Sequence, residues 1–367
     1  MKVMVNEPLL SEEAKKNVVD ALDTGWISSS GSYVKKFEKD FASVYGVKYA
    51  ITVANGTAAL HVALLALGIG SGDEVIVPAF TMGASWLAVM YTGAKPVFVD
   101  CELDTYNIDV TKIEKKINSK TKAILPVHIY GQPCEMDKIM FLAKKYNLFV
   151  VEDAAEVHGA LYKGRLAGTI GDLGCFSFYA NKIITTGEGG MIITNDKNLA
   201  DKCYKFKDLH HSAKRFIHDG VGFNYRMTNL QAAIGCGELI HLDEYVEKKI
   251  WMAKLYDEIL RDVTGIVCPT TREGIKNVYW MYGVVVDNKK ISVSKDQIRE
   301  KLKEVGVDTR DFFYSPEDQP VLAPLLLGEK FPNTKYLSEH GFYLPSGLAI
   351  TEEQIRYTTE QLKKIII

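Results

Sequence analysis

The run Gly174-Cys175-Phe176-Ser177-Phe178-Tyr179-Ala180-Asn181-Lys182-Ile183-Ile184-Thr185-Thr186-Gly187-Glu188-Gly189-Gly190 sets one lysine in a polar turn between an apolar strand and a glycine-rich turn. Among 44 lysines and arginines, any one is solvated surface by default. A strand-end position changes that reading, because an amine that forms a Schiff base must reach a carbonyl held on a rigid floor. The glycines that follow are expected to let the backbone pass close to a bulky planar ligand. A second run, Leu148-Phe149-Val150-Val151-Glu152-Asp153-Ala154-Ala155-Glu156-Val157-His158, ends a buried strand on a carboxylate. Open α/β sheets bind their ligands at that end of a strand. Asp153 reads either as a helix N-cap ahead of the alanines or as the ionised partner that keeps a cofactor ring nitrogen protonated. A third run, Val53-Ala54-Asn55-Gly56-Thr57-Ala58-Ala59-Leu60, opens a helix on a small polar turn. Free amides and the helix dipole there favour a phosphate. A pyridoxal phosphate site would use all three runs.

These side chains need a scaffold that gathers strand ends. Val75-Ile76-Val77, Pro96-Val97-Phe98-Val99, Ala123-Ile124-Leu125-Pro126-Val127, Leu148-Phe149-Val150-Val151, Cys175-Phe176-Ser177-Phe178 and Met191-Ile192-Ile193 lack polar alternation and read as strands buried on both faces. Helical stretches at 57–67 and 136–146 lie between them. This β–α alternation predicts an α/β fold with a mostly parallel central sheet over residues 1–245. Beyond it, a long helix at 244–260 and shorter elements at 280–286, 294–305 and 352–367 predict a smaller α+β domain over 246–367. A chain of 367 residues suits two such units. With 44 basic and 46 acidic side chains, the formal charge of −2 leaves no footprint for nucleic acid or an anionic membrane. No apolar run approaches the roughly 18 residues of a membrane helix, and Met1-Lys2-Val3-Met4-Val5-Asn6-Glu7-Pro8 lacks a signal-peptide core. A cytoplasmic location is therefore expected. The six cysteines are scattered without a Cys-x-x-Cys pair and read as buried small hydrophobes, with no metal site.

The same three runs, together with Gly25-Trp26-Ile27-Ser28-Ser29, Gly222-Phe223-Asn224-Tyr225-Arg226-Met227 and Leu344-Pro345-Ser346-Gly347, resemble the DegT/DnrJ/EryC1/StrS sugar aminotransferases, in order along nearly the whole chain. The resemblance implies an aspartate aminotransferase-type fold (fold type I), pyridoxal phosphate as cofactor, and a homodimer with active sites at the subunit interface. It implies Lys182 as the Schiff-base lysine, Asp153 beside the pyridine nitrogen and Glu156 near the cofactor hydroxyl. Gly56, Thr57, Ala58 and Ser177 correspond to the phosphate cup, which Asn224 reaches from the neighbouring subunit. Met82 stands where many members stack an aromatic residue on the cofactor ring, and a thioether can pack on an aromatic face. Trp86, one turn on, reads as core. Trp26, Ser28, Phe313 and Tyr314 are expected to meet the substrate.

Within the family, His128-Ile129-Tyr130-Gly131-Gln132-Pro133-Cys134-Glu135-Met136-Asp137 and Asn181-Lys182-Ile183-Ile184-Thr185-Thr186 resemble members that move an amino group from L-glutamate to C4 of GDP-4-keto-6-deoxymannose. A GDP-linked keto sugar is the expected acceptor; a dTDP- or UDP-linked sugar, or a longer-carbon GDP sugar, is the alternative. The run Ser315-Pro316-Glu317 departs from the Pro-Met-His-like run of those relatives. Family dehydratases carry histidine in place of the lysine, so Lys182 speaks against dehydration. A catalytically silent binding protein on this fold would require a damaged site, and Lys182, Asp153 and the cup are intact. His210-His211 reads as loop or substrate contact rather than a metal pair, and Lys214-Arg215 as a solvated loop or a diphosphate contact.

Overall fold

The computed structural model describes residues 1–214 and 216–366. Its central sheet is built from β1 (Tyr49–Val53), β2 (Glu74–Pro78), β3 (Lys95–Val99), β4 (Thr121–Ile124) and β5 (Phe149–Asp153). After the short β6 (Leu161–Tyr162) and β7 (Arg165–Leu166) come β8 (Leu173–Ser177) and β9 (Gly190–Thr194), which complete it. The seven strands lie in the order β1-β9-β8-β5-β4-β2-β3. Pairings from β8 across to β3 are parallel, whereas β9 runs antiparallel to both β8 and β1. The expected mostly parallel sheet is present, and each apolar run named above contributes a strand to it. β8 and β9 are buried at every residue, as helices on both faces require.

A second sheet joins β10 (Ile266–Val267), β12 (Tyr282–Val286), β13 (Arg310–Asp311) and β14 (Gly341–Leu344) in the order β10-β12-β14-β13, all antiparallel. β11 (Ile275–Lys276) instead pairs with β6, which pairs on its other side with β7, in a third, three-stranded sheet. Tyr282, Val284 and Val286 face Met252, Tyr256, Ile298, Ile355 and Leu362 of the helices Leu242–Leu260, Lys295–Glu304 and Glu352–Ile366 in a separate core. Val3 joins that core too: its N–H donates to Gly306 and its carbonyl accepts from Asp308. Asp100, just past β3, binds the amides of Asn333 and Thr334 that open the helix Pro332–His340. A carboxylate at a helix N-terminus is favoured by the dipole.

The five buried cysteines are free, and Cys268 is half-buried rather than buried as expected. No helix among the described residues is long and apolar enough to cross a membrane.

β5 positions the site. Successive side chains of a strand point to opposite faces, so Glu152 goes under the sheet while Asp153 faces the strand-end edge. Glu152 is fully buried and accepts N–H bonds from Gly168, Ile170 and Gly171 at 2.8, 2.6 and 2.6 Å. His128 Nδ1 accepts from Cys134 N–H, so its Nε2–H donates to Glu152 at 3.0 Å. Burial drives the Glu152 carboxyl upward, but the His128 and backbone donors outweigh it and hold it below its ordinary value. Glu152→Ala would orphan three amides and an imidazole. It is expected to cost about 3–5 kcal/mol of stability at neutral pH, read by urea denaturation.

Candidate active site

The carboxyl ends of β2, β4, β5 and β8 open on one edge into a cavity of about 550 Å3, the size of a small-molecule site. Thr81 and Met82 follow β2, Val127 follows β4, Asp153 ends β5 and Ser177 ends β8, and all line it. So do Gly56, Thr57, Glu156, Lys182 and Phe313 among the residues expected from sequence.

Lys182 sits in the turn after β8, closed by its own N–H on the Tyr179 carbonyl at 2.8 Å. Its amine lies 3.7 Å from Glu156 Oε1 and 3.6 Å from the centroid of the Trp280 ring. Burial pushes this amine below its ordinary value, against the pull of Glu156 and Asp153. Glu156 is raised to about 7, chiefly by burial; its Oε2 accepts the Tyr130 N–H at 2.7 Å. Desolvation disfavours both charged forms, and each opposes it in the other.

Asp153 is buried. Its Oδ2 accepts from the Ser85 hydroxyl at 2.8 Å and its Oδ1 from the Ala155 N–H at 3.2 Å. The Ser85 hydroxyl in turn meets that of Thr81 at 2.9 Å. Burial nonetheless raises this carboxyl above its ordinary value. No helix follows Asp153, so the N-cap alternative is not realised; the carboxylate belongs to the cavity.

At the mouth of the helix Gly56–Ala66, the Asn55 side chain accepts the Ala58 N–H at 2.9 Å. Ala58, expected in the cup, therefore has its amide engaged and does not line the cavity. Gly56 and Thr57 keep first-turn amides without a protein acceptor among the described residues, as a helix N-terminus does. A Cβ on Gly56 would come within 2.8 Å of Ser177 Cβ, so glycine lets this turn close on the end of β8. The other glycines correct the sequence reading. A Cβ on Gly190 would strike the Asn55 carbonyl at 2.5 Å, and one on Gly189 the Thr186 hydroxyl at 2.2 Å. They make room for the chain's own turns rather than for a ligand.

Met82 lines the cavity with its sulfur accepting the Ala84 N–H at 3.0 Å, capping the helix Gly83–Tyr91. Trp86 is core, as expected. Trp26, Ser28, Asn224 and Tyr314 do not line the cavity. Trp26 is exposed and its carbonyl, like that of Ser28, is held by Asn229. Asn224 Oδ1 is bound by Arg226, and Tyr314 is exposed. Ser315 is wholly buried and bonds Glu317, whose carboxylate also accepts the Phe331 N–H and pairs with Lys330. The unusual run at 315–317 thus turns its polar groups into the protein, and Phe313 before it lines the cavity.

Sequence reasoning missed Trp280 and Tyr343, which line the cavity, and Ser85, which holds Asp153. The strand was expected to start at 280; β12 starts at Tyr282, which frees Trp280 to turn inward. His210 pairs with Asp219, and His211 lies against His218. No group of three metal-ligating side chains occurs among the described residues. Arg215 lies outside the described residues.

A sheet of this order, with a lysine beside two buried carboxylates at its strand ends, is the architecture of aspartate aminotransferase-type (fold type I) enzymes. The aminotransferase from Psychrobacter cryohalolentis superposes with a TM-score of 0.90 at 34% identity, over 98% of this chain and 97% of that one. DesV of S. venezuelae, solved with a ketimine intermediate, gives 0.90 at 32% identity over 98% of each. The sequence profile of the DegT/DnrJ/EryC1/StrS aminotransferase family matches residues 8–363, and the chain belongs to that family. Among its relatives, the GDP-perosamine synthase of Escherichia coli is 43% identical, covering 99% of this chain and 98% of that protein. That of Caulobacter vibrioides is 41% identical over 100% and 99%.

Membership implies pyridoxal phosphate, and the residues fit it: a cradle of first-turn amides at Gly56 and Thr57 closed onto Ser177, a buried carboxylate, and an amine facing the same space. Gly56→Ala is expected to spoil the cradle. Calorimetric titration with inorganic phosphate should show affinity falling at least about tenfold, the equivalent of one lost charge-assisted hydrogen bond.

Proposed function

We propose that this protein transfers the amino group of L-glutamate to C4 of a GDP-linked 4-keto-6-deoxy sugar, giving a GDP-4-amino sugar such as GDP-perosamine. The observation that carries the reading is the Lys182 amine, set beside Glu156 in the cavity that Asp153 and the Gly56 turn also line. Full-length likeness to relatives named GDP-perosamine synthase supports the choice of acceptor.

In this reading Lys182 holds pyridoxal phosphate through its amine, Asp153 serves the pyridine nitrogen, Glu156 the hydroxyl, and Gly56, Thr57 and Ser177 the phosphate. The bound cofactor supplies an electron sink that lets a proton leave the carbon bearing the amine. The freed Lys182 Nζ takes that proton from the α-carbon of glutamate. In the second half-reaction it delivers a proton to C4 of the sugar, acting as base and then as acid. Its burial favours the neutral amine that the first step needs. The Ser85 hydroxyl and Ala155 amide favour the ionised Asp153 that a protonated ring nitrogen needs.

A homodimer belongs to the same proposal, with Trp26, Ser28 and Asn224 serving the neighbouring subunit's cavity. Val19, Leu22, Trp26 and Ile27 are large apolar side chains left exposed close together in sequence, as at an interface. So do a cytoplasmic location and a division of the chain near residue 245.

Protein loaded with pyridoxal phosphate should lose its visible band with L-glutamate. It should regain the band with GDP-4-keto-6-deoxymannose, yielding a GDP-amino sugar by mass spectrometry. Recovery only with a dTDP- or UDP-linked keto sugar would move the acceptor, and no bleaching by any amino acid would favour a silent binding protein. Lys182→Ala is expected to lose at least about a hundredfold in turnover. Asp153→Asn should keep the cofactor but lose most of the rate.

A further inference from the structure

Trp280 and Lys249 are two buried groups that the reaction above does not use. Trp280 is fixed at every point. Its indole N–H donates to the Asn181 carbonyl at 2.8 Å, and its own carbonyl accepts from Lys249 Nζ at 2.9 Å. Behind it, Tyr279 takes a left-handed φ of 46°, with its N–H on Asn277 Oδ1 at 2.8 Å. Gly131 packs so closely there that a Cβ would come within 2.5 Å of Tyr279 N and 2.7 Å of Trp280 N. Lys249 reaches from the helix Leu242–Leu260 and also binds the Ser346 carbonyl. It is wholly enclosed and meets two backbone oxygens where a buried lysine ordinarily meets a carboxylate. Methionine would fill that space without the cost of burying an amine, so its two carbonyl bonds are the part a hydrocarbon cannot replace.

We propose that Trp280 is the positioning residue of Lys182, an aromatic face that holds the free lysine amine as a cation, and that Lys249 is the strut that fixes this face. The ring centroid lies 3.6 Å from Lys182 Nζ, close enough for a cation–π contact. Glu156 holds the same amine from the β5 side at 3.7 Å. Between hydrogen transfers the lysine is thus parked between a carboxylate and a ring. The other ionisable groups around it are Asp153, which also favours the ammonium, and His158, which burial pushes down to about 3 and so keeps neutral. Glu188 and Tyr343 share the cavity wall.

This inference rests on Lys182 being the working lysine, but its test does not. In the full-length chain before cofactor loading, the pH dependence of reductive methylation of the Lys182 peptide, read by mass spectrometry, gives a midpoint for the free amine. Access alters the plateau of such a curve and leaves the midpoint in place. Fluorinated tryptophans withdraw charge from the ring face with little change of shape. Growing the protein on mono-, di- and trifluorotryptophan is expected to lower the midpoint stepwise, by about one pH unit in all, a tenfold change in protonation. Trp280→Leu should lower it as far, Trp280→Phe should keep most of it, and Lys249→Met should lower it about half as far. A midpoint indifferent to fluorination overturns the cation–π role, and one indifferent to Lys249→Met in a folded protein overturns the strut. Should Lys182 fail to take up pyridoxal phosphate, the function proposed above falls while the labelling series still decides this one.

Discussion

Two carboxylates stand side by side at the end of β5, and the alternation of a strand sends them in opposite directions. Glu152 drops into a ring of three amides and one imidazole, a full set of donors for a buried charge. Through those bonds it ties β5 to the 168–171 turn that leads into β8 and to the 128–134 loop that follows β4. Asp153, fixed by that neighbour, has no freedom to leave the cavity edge. The cavity carboxylate is held in place beside one whose charge is met by an imidazole and main-chain amides.

Around this point the molecule accepts several unfavourable burials at once. Asp153, Glu156 and Lys249 lie out of water and Lys182 is largely covered, and each is displaced from its ordinary protonation range by that burial. Structures keep such groups where charge must be available without solvent. The second core, anchored by Tyr256, Tyr282 and Phe342, carries none of the cavity carboxylates. It supplies the hydrophobic stability against which the strained edge is held.

Much of this was legible in the chain. Apolar runs without alternation marked the parallel strands, because burial on both faces removes the polar half of the pattern. Lys182 and Asp153 stood out because strand ends carry chemistry in open sheets, the Gly56 turn because a helix opens there, and Glu156 through the family resemblance alone. What escaped depends on contacts between distant segments. Nothing near residue 280 signals that its ring will meet an amine a hundred positions earlier, and nothing near Lys249 signals two carbonyl partners. The role of Glu152 was hidden in the shadow of Asp153. Gly189 and Gly190 misled for the same reason: a glycine announces close approach but not what approaches, and their neighbours are Thr186 and Asn55. Trp26, Ser28, Asn224 and Tyr314 fall outside the cavity, because a likeness in sequence carries over a residue's type and not its place in this fold.

The seam between residues 128–131 and 277–280 is stitched by main chain: Val278 N–H on the Gly131 carbonyl, with Tyr130 and Tyr279 both in the left-handed region. Of the side chains along it, that of Trp280 lines the cavity. Such a seam separates shape from lining. Substitutions at Phe313 or Tyr343, which line the cavity, can re-line the acceptor's space while the lysine and its carboxylates keep their places, provided Gly131 stays bare. An ancestral enzyme built this way could change the sugar it accepts one wall residue at a time, never passing through a form that had lost its chemistry.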